Sequence, residues 1–177
     1  IDSNGDGVVV PVGAEWMRVC ERRDLNGNTL RGYLAETQSE NELLYSEDLT
    51  QAIWVKTRSA ISSAGTIVNP DGSVGCCALV GGATSNTHFV GQAEASTAGP
   101  HQFSCWLKPG AQPWAYLNVP SVSQAWCYYD ITNGTVGTSG SGATGDMVGF
   151  INGWYRCVIN YTGGAPSHSH DIYAAPS

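Results

Sequence analysis

Charge is scarce in this chain: Asp, Glu, Lys and Arg together make up 13% of its 177 residues. Only 8 of these are Lys or Arg, against 15 Asp or Glu, for a net charge of -7. So few cations cannot neutralise a run of phosphates, which argues against nucleic acid as a partner. No apolar run reaches membrane-spanning length, and no signal-peptide pattern opens the sequence. The start, IDSNGDG, reads as the interior of a longer polypeptide. Periodic arrays of Ala, Glu, Lys and Leu are missing too, which argues against a helical protein. Cys20, Cys76, Cys77, Cys105, Cys127 and Cys157 show no metal-knuckle spacing, so a structural zinc site is not expected. They read mainly as buried free thiols, although secretion would favour disulfides. Paired carboxylates facing one cleft and local Ser-His-Asp or Cys-His sets are likewise absent, so no enzyme is expected.

What the chain does have is glycine, at 22 copies, with 6 Trp, 8 Tyr and an apolar share of 42%. This mixture fits short strands joined by many turns. Strands are expected at 41–46, 53–60, 65–68, 74–80, 86–93, 101–108, 113–119, 125–131, 146–150, 153–162 and 170–175. Turn chemistry separates them: Asn69-Pro70-Asp71-Gly72, Lys108-Pro109-Gly110, Thr132-Asn133-Gly134 and Gly163-Gly164. The only helical turn expected lies around Glu47–Ala52. The run 137–145, GTSGSGATG, reads as a flexible loop. Its Gly140, Gly142 and Gly145 match a dinucleotide fingerprint, but no helix pattern follows to hold a pyrophosphate.

Two regions follow from this reading. Residues 1–39 form an extended attachment segment, with a strand-turn-strand candidate around Asn26-Gly27. Asp2–Gly7 opens like a calcium loop but lacks the acid at its twelfth position and reads as a turn. Residues 40–177 form one all-β domain, an antiparallel β-sandwich. Within it, strict alternation sorts the strands into two faces. Phe103, Cys105, Leu107, Ala115, Leu117, Val119, Cys127, Tyr129, Tyr155, Cys157, Ile159 and Tyr161 are the expected core. The opposite set interleaves aromatic rings with hydrogen-bonding groups.

Several motifs, taken in order, resemble a known group of modules. YLAETQSENELLYSEDLTQAIWVK, HQFSCWLKPG, YYDITNGTVG and NGWYRCVINY are similar, in sequence and spacing, to segments of tail-fibre and head-spike proteins of tailed bacteriophages. The likeness spans about residues 30–175. Leu49 departs from the usual Phe, 39–42 from the usual Arg-Thr-Asn-Leu, and cysteines stand where Val is common. The resemblance implies a jelly roll like the carbohydrate-binding modules of families four and nine. It also implies a non-catalytic domain of a virion protein, assembled in the bacterial cytoplasm. Its partners would be a cell-surface polysaccharide and other virion subunits, in a homo-oligomer.

The expected glycan-binding set is Trp106, Trp114, Tyr116, Asn118, Trp126, Tyr128 and Arg156, with Lys108 beside them. Sugar C–H groups stack on aromatic rings, while hydroxyls need fixed donors and acceptors. Such rings equally suit a subunit interface, so a purely structural capsid or fibre module stays open. So does a carbohydrate-binding module of a secreted polysaccharide-degrading enzyme. Trp54 and Trp154 read as packing residues. No cofactor is required. The resemblance allows a structural calcium at Glu47, Asp48 and Asp171, with a helix-cap role as the alternative for Asp48. His168 and His170 could share one strand face, but a solvated loop is the expected setting.

Overall fold

In the computed structural model, residues 10–12, 15–23 and 29–35 are described as backbone, and 41–83, 86–164 and 166–175 in full. The chain divides into two units, Ile1–Asn41 and Glu42–Ser177. The first is a three-stranded antiparallel sheet, β1 (Val10–Val12), β2 (Glu15–Arg23) and β3 (Thr29–Ala35), with β2 in the middle. Arg23 pairs with Thr29, so β2 and β3 are the arms of a hairpin. The expected Asn26-Gly27 turn between them, and the Asp2–Gly7 turn, lie outside the described residues.

The second unit is an antiparallel β-sandwich. Its strands are β4 (Val55–Thr57), β5 (Ser59–Ser63), β6 (Cys77–Gly81), β7 (Phe89–Ala95), β8 (Gly99–Leu107), β9 (Trp114–Asn118), β10 (Trp126–Asp130), β11 (Thr135–Ser139), β12 (Ala143–Gly149), β13 (Tyr155–Gly163) and β14 (Ser167–Ala175). One sheet has six strands in the order β11-β10-β9-β14-β7-β4; its partner has three, β12-β13-β8; β5 and β6 form a separate pair. The late strand β14 sits between β7 and β9, and β13 between β8 and β12. Early and late strands therefore interleave, as in a jelly roll.

Alternation explains the core. Leu117, Cys127, Tyr129, Ile172 and Val90 on the large sheet meet Phe103, Cys157, Ile159 and Tyr161 on the small one. Ile61 and Leu79 of the β5-β6 pair pack against the same cluster. Tyr129 carries its polar group into this layer and donates its hydroxyl to the Val158 carbonyl. The two expected packing tryptophans are buried, and each donates its indole N–H to a loop carbonyl: Trp54 to Tyr45 at 3.0 Å, Trp154 to Val68 at 2.8 Å. Cys76, Cys77, Cys105, Cys127 and Cys157 are free.

Three local expectations are corrected. Residues 41–46 are not a strand. The buried Gln92 side chain accepts from the Leu44 N–H (2.8 Å) and donates to the Leu44 carbonyl (2.9 Å), as a strand partner would. Residues 65–68 contribute only a single bridge, Val68 to Val74. The glycine run 137–145 is a strand-turn-strand rather than a flexible loop. It supplies the end of β11 and the start of β12, and its glycines sit where side chains do not fit. A Cβ on Gly140 would lie 2.1 Å from the Gln124 carbonyl oxygen, and one on Gly145 2.2 Å from the Cys127 sulfur.

Candidate functional site

On the outer face of the six-stranded sheet, register brings aromatic residues from four adjacent strands into one row. Phe89 on β7 pairs with Tyr173 on β14, Tyr173 with Tyr116 on β9, and Tyr116 with Tyr128 on β10. The rings touch in sequence, with centroids 4.7, 5.0 and 4.5 Å apart. Trp126 lies 6.1 Å from Tyr116 and 5.9 Å from Tyr128. All of these rings are half-buried. On β11 the row ends at Gly137, where a Cβ would lie 2.7 Å from the Trp114 ring and 3.2 Å from the Tyr128 Cβ. The missing side chain leaves room for the indole beside Tyr128. Burial is also felt electrostatically: the Tyr116 hydroxyl is pushed up to about 12, first by desolvation and then by Tyr128, Tyr173 and Asp171.

A second row runs beside the first, from Gly91 through Asp171 and Asn118 to Trp126. Asp171 is 4% exposed and lies over Gly91, whose absent side chain makes the space. Its carboxylate accepts from the Ser169 hydroxyl at 2.8 Å and the Tyr173 hydroxyl at 3.4 Å. Desolvation raises its pKa above the ordinary value, and the two hydroxyls only partly offset this. The face thus offers a row of rings beside a carboxylate and the Asn118 amide.

Trp114, Tyr116, Asn118, Trp126 and Tyr128 come together as expected on this face. Trp106, Lys108 and Arg156 do not join them. They belong to the three-stranded sheet side, where Trp106 pairs with Arg156 and Arg156 with Val148. There the Arg156 guanidinium donates to Ser104 Oγ at 3.1 Å and Gln102 Oε1 at 3.3 Å. Trp106 meets the Phe150 ring edge-on at 5.3 Å, and Lys108 donates to the Asn152 carbonyl. Alternation along a strand separates inner from outer residues, but it does not say which sheet a strand joins. Phe89 and Tyr173 were missing from the expected set. Tyr173 follows Asp171 by two positions, so the same alternation, applied to 167–175, would have found it.

The expected calcium residues are not gathered into one site. Glu47 is exposed. Asp48 accepts from the Thr50 N–H and hydroxyl at 3.0 and 2.5 Å and from the Gln51 amide at 2.7 Å, contacts that hold its pKa below the ordinary value. Asp171 is engaged in its own network on the sheet. Among the described residues, no group of three or more His, Cys, Asp or Glu is arranged to hold a metal ion. His168 and His170, expected in a solvated loop, are instead buried on β14. No family model matches this chain, and no curated protein matches it.

Proposed function

We propose that the 42–177 unit is a non-catalytic glycan-binding domain whose site is the outer face of the six-stranded sheet. The row Phe89-Tyr173-Tyr116-Tyr128, flanked by Trp114 and Trp126, is the observation that carries this reading. It provides an extended apolar platform on a regular sheet, with the half-buried Asn118 amide alongside to meet hydroxyl groups. A sheet places these groups more rigidly than loops would, which lowers the ordering cost of binding. The motif resemblance supports placement in a phage virion protein, a tail fibre, spike or head decoration that contacts host-surface polysaccharide. Several copies on an oligomer would turn modest single-site affinity into avidity.

A glycan array probed with the intact chain tests this reading. Binding is expected, and Tyr116→Ala and Trp126→Ala should each weaken it at least about tenfold, the loss of a stacking contact worth about 1.5 kcal/mol. Trp106→Ala, on the other sheet, should leave it unchanged. If no glycan binds and the chain self-associates through Tyr116 and Trp126, the face is a subunit contact instead.

A further inference from the structure

Where β7, β8, β13 and β14 meet, the interior of the sandwich is not apolar. His168 is 0% exposed and His170 5%. The Glu94 side chain is 6% exposed and that of His101 11%. Register sets His168 opposite Glu94 and Tyr161 opposite His101. The rings pack closely: His101 meets His168 edge-on at 5.1 Å and stacks on Tyr161 at 5.4 Å, and His168 lies 6.3 Å from His170. Gly163 closes the cluster, since a Cβ there would lie 2.2 Å from the His168 ring.

Few of these polar atoms are satisfied. Tyr161 Oη and His170 Nε2 share a 2.7 Å hydrogen bond, and His101 Nε2 reaches the Thr97 carbonyl at 2.8 Å. Both nitrogens of His168, both carboxylate oxygens of Glu94 and Nδ1 of His170 have no hydrogen-bond partner. The closest charged approaches are Glu94 Oε1 to His170 Nδ1 and Glu42 Oε2 to His101 Nδ1, each 3.8 Å. The titratable groups facing the cluster are therefore Glu42 from the segment before β4, Glu94 on β7, His101 on β8 and Tyr161 on β13, together with the two β14 histidines. Asp171, the next residue on β14, lies on the opposite face of the sheet.

We propose that this interior cluster is a proton-operated latch, closed while its histidines are neutral, whose protonation on acidification loosens β14 from its seat between β7 and β9. An additional proton on His168 or His170 would create a buried cation with no acceptor within hydrogen-bond distance, since Glu94, itself held towards its neutral form, stays 3.8 Å from His170 Nδ1. Burial, reinforced by the neighbouring histidines, depresses His170 to about 4 and lowers His168 from 6.5. The stability these two rings contribute is thus complete above about pH 6.5, the value in the opened chain, and is lost as pH falls from there through the folded-state values. Glu94 works the other way. Burial and then Glu42 raise its pKa, so its contribution is present at low pH and lost as pH rises. Two rings against one carboxyl leave a net uptake of protons on opening below pH 6.5, so closure weakens on acidification.

Chemical denaturation of the intact chain between pH 7.5 and pH 5, followed by tryptophan fluorescence, tests the latch. The folding constant of the parent should fall as pH drops below 6.5, by up to about tenfold per unit for each proton taken up on opening. The His168→Leu/His170→Gln double variant should lose this fall, any remaining slope running the opposite way because Glu94 is left alone, and Glu94→Gln should steepen the fall by removing the opposing group. An unchanged slope in the double variant would overturn the proposal. If that variant fails to fold, NMR titration of the histidine ring protons in the parent decides: a His170 ring still neutral at pH 5.5 supports the latch, and one titrating near 6.5 overturns it.

Discussion

Single residues on the large sheet show how burial and chemistry trade against each other. Asp171 is nearly enclosed and its pKa is raised, because its two hydroxyl partners do not replace the water it has lost. A raised acid pKa means the folded state favours the protonated form. Its contribution is present below the ordinary value of 3.8 and lost as pH rises through the folded value. Asp171→Asn is therefore expected to melt above the parent at pH 7, with the difference shrinking as pH approaches 4, as thermal scans across that range would show. Tyr129 makes the opposite case. Its hydroxyl finds the Val158 carbonyl inside the core, so Tyr129→Phe removes a buried hydrogen bond without adding an unpaired charge. A cost of about 0.5–1.5 kcal/mol is expected from denaturation curves.

For individual strands, the sequence was most informative wherever the period of two was intact. Phe103, Leu117, Tyr129, Cys157 and Ile159 alternate strictly, and all lie in the core. The turn at Thr132-Asn133-Gly134 was equally readable: Asp130 accepts from the Thr132 and Asn133 N–H groups, and Gly134 takes a φ of 71°. Legibility failed where a strand's meaning depends on a distant partner. Trp106 and Arg156 share the outward pattern of Trp114 and Tyr116 but belong to the other sheet. His168 and His170 have polar side chains, which suggested a loop, yet their strand is central. The glycines of 137–145 looked like flexibility, but close approach of Gln124 and Cys127 is what requires them. Gly140→Ala and Gly145→Ala are accordingly expected to destabilise the domain by about 1–3 kcal/mol through overpacking, whereas mobile-loop glycines would tolerate alanine. Paired urea titrations would distinguish these outcomes.

For the whole molecule, composition was a sound guide to fold class and silent about layout. Few charges, many glycines and frequent aromatics pointed to an antiparallel all-β chain, and the sandwich in 42–177 has that character. Nothing in composition could indicate that one sheet would have six strands and the other three, because that division is set by which strands pair. The aromatic platform depends on this division: its four-ring row exists only because β7, β14, β9 and β10 are neighbours. Removing 167–177 would take away the strand that carries Tyr173 and joins β7 to β9. Such a truncation is expected to abolish cooperative unfolding altogether, rather than merely lower the midpoint, in circular dichroism melts.

The seat of β14 also governs when the domain can form. Its partners lie far back in the chain, β7 at 89–95 and β9 at 114–118, so the central seam of the large sheet consists of contacts between distant segments. Such contacts carry a large loop-closure cost before they return any stability, and topologies rich in them fold slowly. On a ribosome, the β7 and β9 edges destined for this seam would wait unpaired until residue 175 had left the exit tunnel. During that interval their unmet backbone groups could pair with the same edges on a neighbouring nascent chain.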